Sequence, residues 1–319
     1  MQKKYTLILG GFLSLGLLHG CNDSNDQEQT QNYTITDNNP NSCNQLASNG
    51  STVVVGSGQA GDPSAPEPAS AYRLGLKAKT SDQYMVVANT PLATKAGCDV
   101  LKAGGSAVDA AIAVQAVLGL VEPQSSTIAG SAFMMYYDAK TQKVTAYDGR
   151  ETAPAAANEY YLVRQNIDDA SSPAPVPSAR RSGRSIGVPG VMRMLEMAHN
   201  EHGKLKWNQL FDNSVQLAEG GFKVPGRLAA AIQSNAASLA LDANAVKTYF
   251  HPDGTAYAVG ETMTNQDYAR TIRTIAANGA QAMYSGPIAQ AIVNKAQQSV
   301  GDDAAKTPIT PSLMTLNDL

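Results

Sequence analysis

Histidine and cysteine are scarce in this chain, and their scarcity argues against common kinds of metal site. The 319 residues include four histidines and three cysteines. The histidines are scattered, with no pair at i, i+4, and the cysteines do not form a Cys–His zinc pattern. The sequence therefore predicts no metal site.

Strong net charge and long apolar runs are also lacking. The formal net charge is −3, so there is no basic surface that would indicate nucleic acid as a partner. Beyond the N-terminus no apolar run is long enough to span a bilayer. With 43% apolar residues, a chain of this length can bury a sizeable core, as an ordinary globular enzyme does.

The first 21 residues have the pattern of a bacterial lipoprotein signal. Lys3 and Lys4 precede an apolar stretch, and Leu18–Cys21 is similar to a lipobox. We expect residues 1–20 to be a signal peptide removed before Cys21, which would then be lipidated. This predicts an exported, periplasmic protein held at a membrane by its lipid anchor. His19 is unusual at its position, and secretion with an unmodified cysteine is the alternative.

Residues 21–82 are typical of a tether rather than a packed domain. The segment is rich in Asn, Ser, Gln, Gly and Pro and offers little to bury. It contains Cys43, which outside the cytoplasm could pair with Cys98, although sequence alone does not fix that pairing. The ordered domain is predicted to occupy residues 83–319.

Two glycine motifs match catalytic or cofactor patterns but lack the required context. Gly56–Gly61 follows an apolar run, yet closely spaced prolines replace the helix that would hold a dinucleotide, so no cofactor is expected. Gly183–Gly187 has the spacing of a nucleophile elbow, but proline-rich sequence precedes it and Pro189 follows. Ser185 is therefore not predicted to be a nucleophile.

Apolar periodicity and punctuation predict a mixed helix and strand domain, α/β or α+β. Ser106 and Asp109 have the spacing of a helix capping box. Glycines at 220–221 and 279 are expected to end later helices. The predicted elements are a buried strand at Met85–Ala88, helices at Leu92–Ala103 and Ala107–Leu120, and strands at Phe133–Asp138 and Lys143–Tyr147, with helices dominating from Trp207.

The heptapeptide Asp148–Pro154 places an arginine at the end of a predicted strand. Gly149 allows the chain to turn there, and Arg150 then projects beyond the sheet. A guanidinium in that position can hold a carboxylate through paired hydrogen bonds. The alternative is an ion pair with neighbouring Glu151 or Asp148. The heptapeptide alone leaves both open.

A longer series of motifs resembles the large-subunit part of the γ-glutamyltranspeptidase family. The resemblance covers about residues 85–319, nearly all of the predicted domain. Its main blocks are Pro91–Ala93, Leu101–Ala111, Leu118–Ser126, Asp148–Pro154, Gly187–Gly190, Gly203–Trp207, Leu217–Phe222, Tyr284–Ala289 and Leu316–Leu319.

The resemblance implies the N-terminal-nucleophile hydrolase fold, an αββα sandwich, incomplete in this chain. It also implies a γ-glutamyltransferase or glutathione hydrolase acting on glutathione or another γ-glutamyl compound through a γ-glutamyl-enzyme. The nucleophile would be an N-terminal threonine lying beyond this chain, so the resemblance implies no catalytic residue here and a small subunit or C-terminal segment as partner. Arg150 would bind the α-carboxylate of the glutamyl group.

Some residues depart from the family pattern. Thr127–Ala132 replaces a glycine run, Gln124 stands where histidine is common, and Asn89-Thr90 stands where Ser-His is common. Added Cβ atoms limit close backbone approach, so specificity is in question. Because the resemblance stops short of the processing site, we expect a truncated chain, inactive alone, with an apolar, unpaired sheet face. A non-catalytic lipoprotein remnant and a β-lactam side-chain acylase are the alternatives.

Overall fold

The computed structural model describes Cys43 and residues 81–319. The predicted signal peptide, Cys21, most of the tether and the motif Gly56–Gly61 lie outside the described residues. The α-helices are α1 (Pro91–Lys102), α2 (Ala107–Val121), α3 (Val191–His202), α4 (Asp212–Gly220), α5 (Gly226–Ser234), α6 (Ala236–Leu239), α7 (Ala243–Tyr249), α8 (Gln266–Asn278) and α9 (Gly286–Ala296). The strands are β1 (Ala132–Asp138), β2 (Lys143–Gly149), β3 (Phe222–Lys223) and β4 (Thr262–Met263). Short 3-10 helices occupy Ala179–Arg181, Gly183–Ser185, Trp207–Phe211, Ala280–Met283 and Leu316–Asp318.

Helices α1 and α2 form the centre of the core, close to their predicted bounds. Thr90 caps α1 through its side chain, and Pro91 occupies the first turn, where a missing N–H costs nothing. Helix α2 is apolar almost all round and packs against α1, α3 and α4. Its Ile112 and Val117 are fully buried. An apolar, alanine-rich helix is buried in this way because few of its side chains gain from contact with water.

The predicted capping box at the start of α2 is confirmed, and it extends into a larger anchor. Ser106 Oγ accepts the Asp109 N–H, and Asp109 Oδ2 accepts the Ser106 N–H. The same Oδ2 also accepts backbone N–H groups from Lys204 and Leu205, at 2.9 and 3.1 Å. One buried carboxylate therefore fixes the start of α2 to the chain that follows α3.

The predicted hairpin is also confirmed. Strands β1 and β2 pair antiparallel, with Ala132 opposite Gly149 and Asp138 opposite Lys143. Asp138 holds the turn by accepting the Lys140 N–H and the Thr141 hydroxyl. On the inner face, the Tyr147 hydroxyl donates to Glu201 of α3 at 2.6 Å. Burial, together with this hydrogen bond, raises the pKa of Tyr147 to about 12.

The opposite face of the hairpin is exposed and apolar. It carries Phe133, Met135, Tyr137 and Val144, with side chains between 59% and 70% exposed. Among residues 81–319 no other element covers this face. We call these four side chains the outer hairpin face. Along β1, exposed apolar residues alternate with half-buried residues that are mostly apolar as well. A strand that is apolar on both faces is typical of a sheet covered on both sides.

The predicted buried strand at Met85–Ala88 is wrong. This segment is extended but pairs with no strand among the described residues, and Val87 is 84% exposed. It runs beside α1 instead, where the Val86 side chain lies against Gly97 and the Ala88 N–H donates to Thr94. A short apolar run shows that one side of a segment is buried, but it does not identify the neighbour.

The C-terminal half is helical, and the predicted glycine stops are confirmed. Helix α4 ends at Gly220, and Gly221 follows with a φ of +95°. Helix α8 ends at Asn278, and Gly279 follows with a φ of +74°. Both glycines adopt a left-handed conformation that other residues rarely accept, so the helices cannot continue through them.

Cys43 forms a disulfide with Cys98, with a Cα–Cα distance of 5.5 Å. The bond attaches a residue of the predicted tether to α1. Within the described residues, no helix has the length and apolar character needed to cross a bilayer.

Candidate functional site

Arg150 lies just beyond β2, at the open end of the hairpin. Its side chain is 60% exposed. A Cβ on the preceding Gly149 would come within 2.6 Å of Met194 Cβ in α3. Only glycine at that position lets the strand end lie directly on the helix, and this contact fixes where Arg150 leaves the sheet.

A second glycine, Gly190, packs against the backbone of Arg150. A Cβ on Gly190 would lie 2.3 Å from the Gly149 carbonyl oxygen and 3.0 Å from that of Arg150. The Gly190 N–H donates to Gly130 O at 3.0 Å, so the loop before β1 joins the same cluster. The Val188 N–H donates to Thr152 O at 2.9 Å on the other side. The blocks around residues 130, 150 and 190, separate in sequence, therefore meet at Arg150.

The Arg150 guanidinium contacts one carboxylate and one hydroxyl. Its Nη2 lies 3.2 Å from Glu151 Oε1, and its Nη1 donates to Ser131 Oγ at 3.3 Å. The ion pair with Glu151, one of the alternatives from the sequence, is thus present. Asp148 instead accepts the Arg150 backbone N–H at 2.9 Å. An exposed pair of this kind contributes about 0–1 kcal/mol, and more than half of the Arg150 side chain remains exposed to solvent.

Glu151 is held as a carboxylate beside Arg150. A hydrogen bond from Ser131 is the largest cause that lowers the pKa of Glu151, followed by a backbone hydrogen bond and the charge of Arg150. Ser131 therefore lies beside both charged groups. Ser131 was not predicted from the sequence as a site residue, and it lies within the segment that replaces the glycine run of the family pattern.

Two of the departures from the family pattern meet at one buried carboxylate. Asn89 Nδ2 and Gln124 Nε2 donate to Glu122 Oε2 at 3.2 and 3.0 Å. Arg227 Nε lies 3.5 Å from the same oxygen, and Glu122 is 1% exposed. The Ser125 N–H also donates to the Glu122 carbonyl at 2.9 Å. The two amides, Gln124 where histidine is common and Asn89 where serine is common, thus help to fix the turn that leads toward Ser131.

Glu122 was not predicted from the sequence because its partners lie far apart in the chain. Asn89 precedes it by 33 residues. A buried glutamate at a helix end gives no periodic signal, since charged residues are ordinarily exposed. The only available signal was that Asn89 and Gln124 both depart from the family pattern.

The remaining sequence motifs do not join the Arg150 cluster. Gly183–Ser185 is a 3-10 helix rather than a strand–turn–helix, and Ser185 Oγ donates to the Ser182 carbonyl. His199 lies 3.6 Å from Asp109 in the helix anchor described above. Among residues 81–319, no group of three or more His, Cys, Asp or Glu side chains is arranged to hold a metal ion.

Comparison with known proteins places this arrangement in a family. The family described as Gamma-glutamyltranspeptidase matches residues 93–319. The glutathione hydrolase proenzyme of Bacillus subtilis (strain 168) is 35% identical over 242 residues, which are 76% of this chain and 40% of that protein. The CapD capsule biosynthesis proenzyme of Bacillus anthracis is 35% identical over 219 residues, which are 69% of this chain and 36% of that protein.

A solved structure agrees with these matches. The γ-glutamyltranspeptidase of Helicobacter pylori superposes with a TM-score of 0.65 and 27% identity, covering 76% of this chain and 64% of that one. This likeness confirms the N-terminal-nucleophile hydrolase fold class. The chain spans about two fifths of the length of the curated Bacillus subtilis relative. From the extent and consistency of these matches, the chain belongs to the γ-glutamyltranspeptidase family.

Proposed function

We propose that this chain is the large-subunit part of a γ-glutamyltransferase or glutathione hydrolase, and that Arg150 binds the α-carboxylate of the γ-glutamyl group. The observation that carries the proposal is the position of Arg150 at the strand end. Its backbone is fixed by two glycine contacts, while its side chain stays 60% exposed. A guanidinium held in this way can give charge and orientation to a substrate carboxylate without a large change in the fold.

Glu151 and Ser131 would keep the guanidinium oriented before substrate binds. The contacts at 3.2 and 3.3 Å use Nη2 and Nη1. An incoming carboxylate would compete with Glu151 for the guanidinium or share it. Because the existing pair is exposed, the exchange would cost little, about 0–1 kcal/mol.

The covalent step is proposed to depend on a partner segment. The nucleophile would be an N-terminal threonine, whose own amine serves as general base. Backbone N–H groups near that threonine would stabilise the oxyanion. The apolar outer hairpin face supports this proposal, because a strand or sheet of the partner segment packed there would bury Phe133, Met135 and Tyr137.

Export is part of the same proposal. We propose that residues 1–20 direct export, that Cys21 carries a lipid, and that residues 21–82 tether the domain of residues 83–319 to a membrane. The Cys43–Cys98 disulfide supports an oxidising compartment, since such bonds are uncommon in the cytosol. Labelling with a radioactive fatty acid tests the anchor. The expected result is label that is lost in Cys21→Ser but retained in Cys43→Ser.

The activity is tested by combining the full chain with a segment that supplies the N-terminal threonine. γ-Glutamyl-p-nitroanilide is expected to be hydrolysed by the combination and not by either part alone. A cephalosporin with an acyl side chain that lacks both the amino and α-carboxylate groups serves as the second substrate. Preference for that compound would contradict the γ-glutamyl proposal and favour the acylase alternative. Correct assembly without turnover of either compound would favour a non-catalytic role.

A further inference from the structure

Arg184 carries a buried charge for which no described residue supplies a counter-charge. The side chain is 4% exposed, in the short 3-10 helix Gly183–Ser185. Its Nη2 donates to the Gln165 carbonyl at 2.7 Å, and its guanidinium lies 4.5 Å from the centroid of the Tyr161 ring. Its Nε and Nη1 are buried without a hydrogen-bond partner. A guanidinium carries a permanent positive charge in proteins.

The same region holds one further donor in excess. The hydroxyls of Tyr161 and Ser312 share a hydrogen bond of 2.9 Å, and both residues are buried. Tyr161 also accepts the Leu313 N–H, and Ser312 Oγ also accepts the Met314 N–H. Whichever hydroxyl donates to the other, the proton of the second has no acceptor among these contacts. The Tyr161 ring joins this hydroxyl pair to the guanidinium.

Buried polar groups are ordinarily satisfied, and buried charges are ordinarily paired. Around Arg184 the unsatisfied groups are all donors: Nε–H, the Nη1 N–H groups and one hydroxyl proton. A carbonyl and an aromatic face give partial compensation but no full negative charge. A small anion would accept from the donors and neutralise the guanidinium together.

We propose that Arg184, with the Tyr161–Ser312 hydroxyl pair, forms a site for a small monovalent anion, with chloride as the abundant candidate. Arg184, Tyr161 and Ser312 are each at most 6% exposed, so the ligand is a small ion rather than a substrate. It would link three separate parts of the chain: the turn at Tyr161, the 3-10 helix at Arg184 and the C-terminal segment at Ser312. The site is distinct from Arg150 and does not depend on the γ-glutamyl proposal.

Thermal unfolding of the full chain at constant ionic strength tests the site, with sodium chloride replaced stepwise by sodium gluconate. A ligand that binds only the folded state raises the unfolding midpoint in a saturable way. Raising chloride well above its dissociation constant should shift the midpoint by roughly 2–8 °C. Arg184→Met should abolish the shift. Arg181→Met removes an exposed arginine three residues earlier and should retain it. Equal midpoints in chloride and gluconate would overturn the proposal, as would an unchanged shift in Arg184→Met.

A second measurement covers the case in which Arg184→Met does not fold. Crystals of the unaltered chain grown in sodium bromide are expected to show an anomalous peak at hydrogen-bond distance from Arg184 Nε or Nη1. Water in that position would give no anomalous signal and would show that the excess donors are satisfied without an anion. That result would also overturn the proposal.

Discussion

Ser131 lies beside both charged side chains at the candidate site. Its hydroxyl accepts from Arg150 Nη1, and its hydrogen bond to Glu151 is the main cause of that residue's lowered pKa. Because the folded pKa of Glu151 lies below its unfolded value, the interaction contributes stability above the unfolded pKa. That contribution is lost as the pH falls through the folded value.

Removing the Ser131 hydroxyl should therefore raise the pKa of Glu151. We expect the Glu151 carboxyl in Ser131→Ala to titrate closer to its ordinary value than in the parent, as followed by carbon NMR of the side chain. Ser171→Ala is a matched control, because Ser171 donates to Asp169 in the same manner away from Arg150. If Ser131→Ala and the parent gave the same Glu151 titration, the Ser131 hydroxyl would not lower the pKa of Glu151.

Residues of the site differ in how far sequence can identify them. Arg150 was identified because a strand pattern, a glycine and an arginine stand in order within a few residues. Ser131 and Glu122 were missed because their roles depend on contacts with Arg150 and Asn89, across 19 and 33 residues. Local patterns report local structure, and a side-chain network assembled from distant segments leaves no local pattern.

At the scale of elements, a substitution on the outer hairpin face should affect assembly with a partner segment but not the folding stability of the chain. Its side chains touch water in this chain, so replacing one with a charge removes little buried area. A partner that packs on this face would bury the same side chains. A charged side chain introduced there would then be buried without a counter-charge.

Met135→Lys is expected to change the free energy of unfolding of the chain by at most about 0.5 kcal/mol, measured by urea denaturation. The same change should weaken assembly with the threonine-bearing segment at least about tenfold, measured by co-purification at graded concentrations. Met197→Lys alters another exposed methionine, on α3, and should leave assembly intact. Undiminished assembly of Met135→Lys would show that the partner does not cover this face.

The capping box of α2 gives a second prediction for an element. Ser106→Ala removes the acceptor for one N–H at the helix start and should destabilise the chain by about 1 kcal/mol. Asp109→Ala also leaves the N–H groups of Lys204 and Leu205 without their acceptor and should cost about 2–4 kcal/mol. Urea denaturation of both variants tests the order. Equal losses would show that the contacts to Lys204 and Leu205 contribute nothing.

Elements were predicted well where the signal was local and strong. Caps and helix breakers placed α1 and α2, glycine stops placed the ends of α4 and α8, and alternation placed the hairpin, because each signal lies in or next to the element. Met85–Ala88 was predicted as a buried strand from the same apolar signal. The prediction was wrong because the neighbour of that segment is α1, and sequence does not specify a neighbour that lies far away in the fold.

At the scale of the whole molecule, the disulfide ties part of the tether to the core across 55 residues. Cross-linking at such a separation restricts the unfolded chain and typically contributes about 2–4 kcal/mol. The double change Cys43→Ser with Cys98→Ser should lower the unfolding midpoint by roughly 4–16 °C. Treatment of the parent with a reducing agent should give the same midpoint as the variant. An unfolding midpoint that changes neither in the variant nor on reduction would show that the disulfide does not stabilise the folded chain.

The central claim is that Arg150 binds the substrate α-carboxylate, and kinetics on the assembled enzyme test it most directly. Arg150→Ala is expected to lower kcat/KM for γ-glutamyl-p-nitroanilide roughly 30-fold to 1,000-fold. This corresponds to a loss of about 2–4 kcal/mol in transition-state binding. Arg150→Lys should recover only part of this loss, because an ammonium cannot reproduce the paired contact. Arg270→Ala, which removes another exposed arginine paired with a nearby acid, should leave kcat/KM unchanged. Full activity of a correctly assembled Arg150→Ala enzyme would contradict the account.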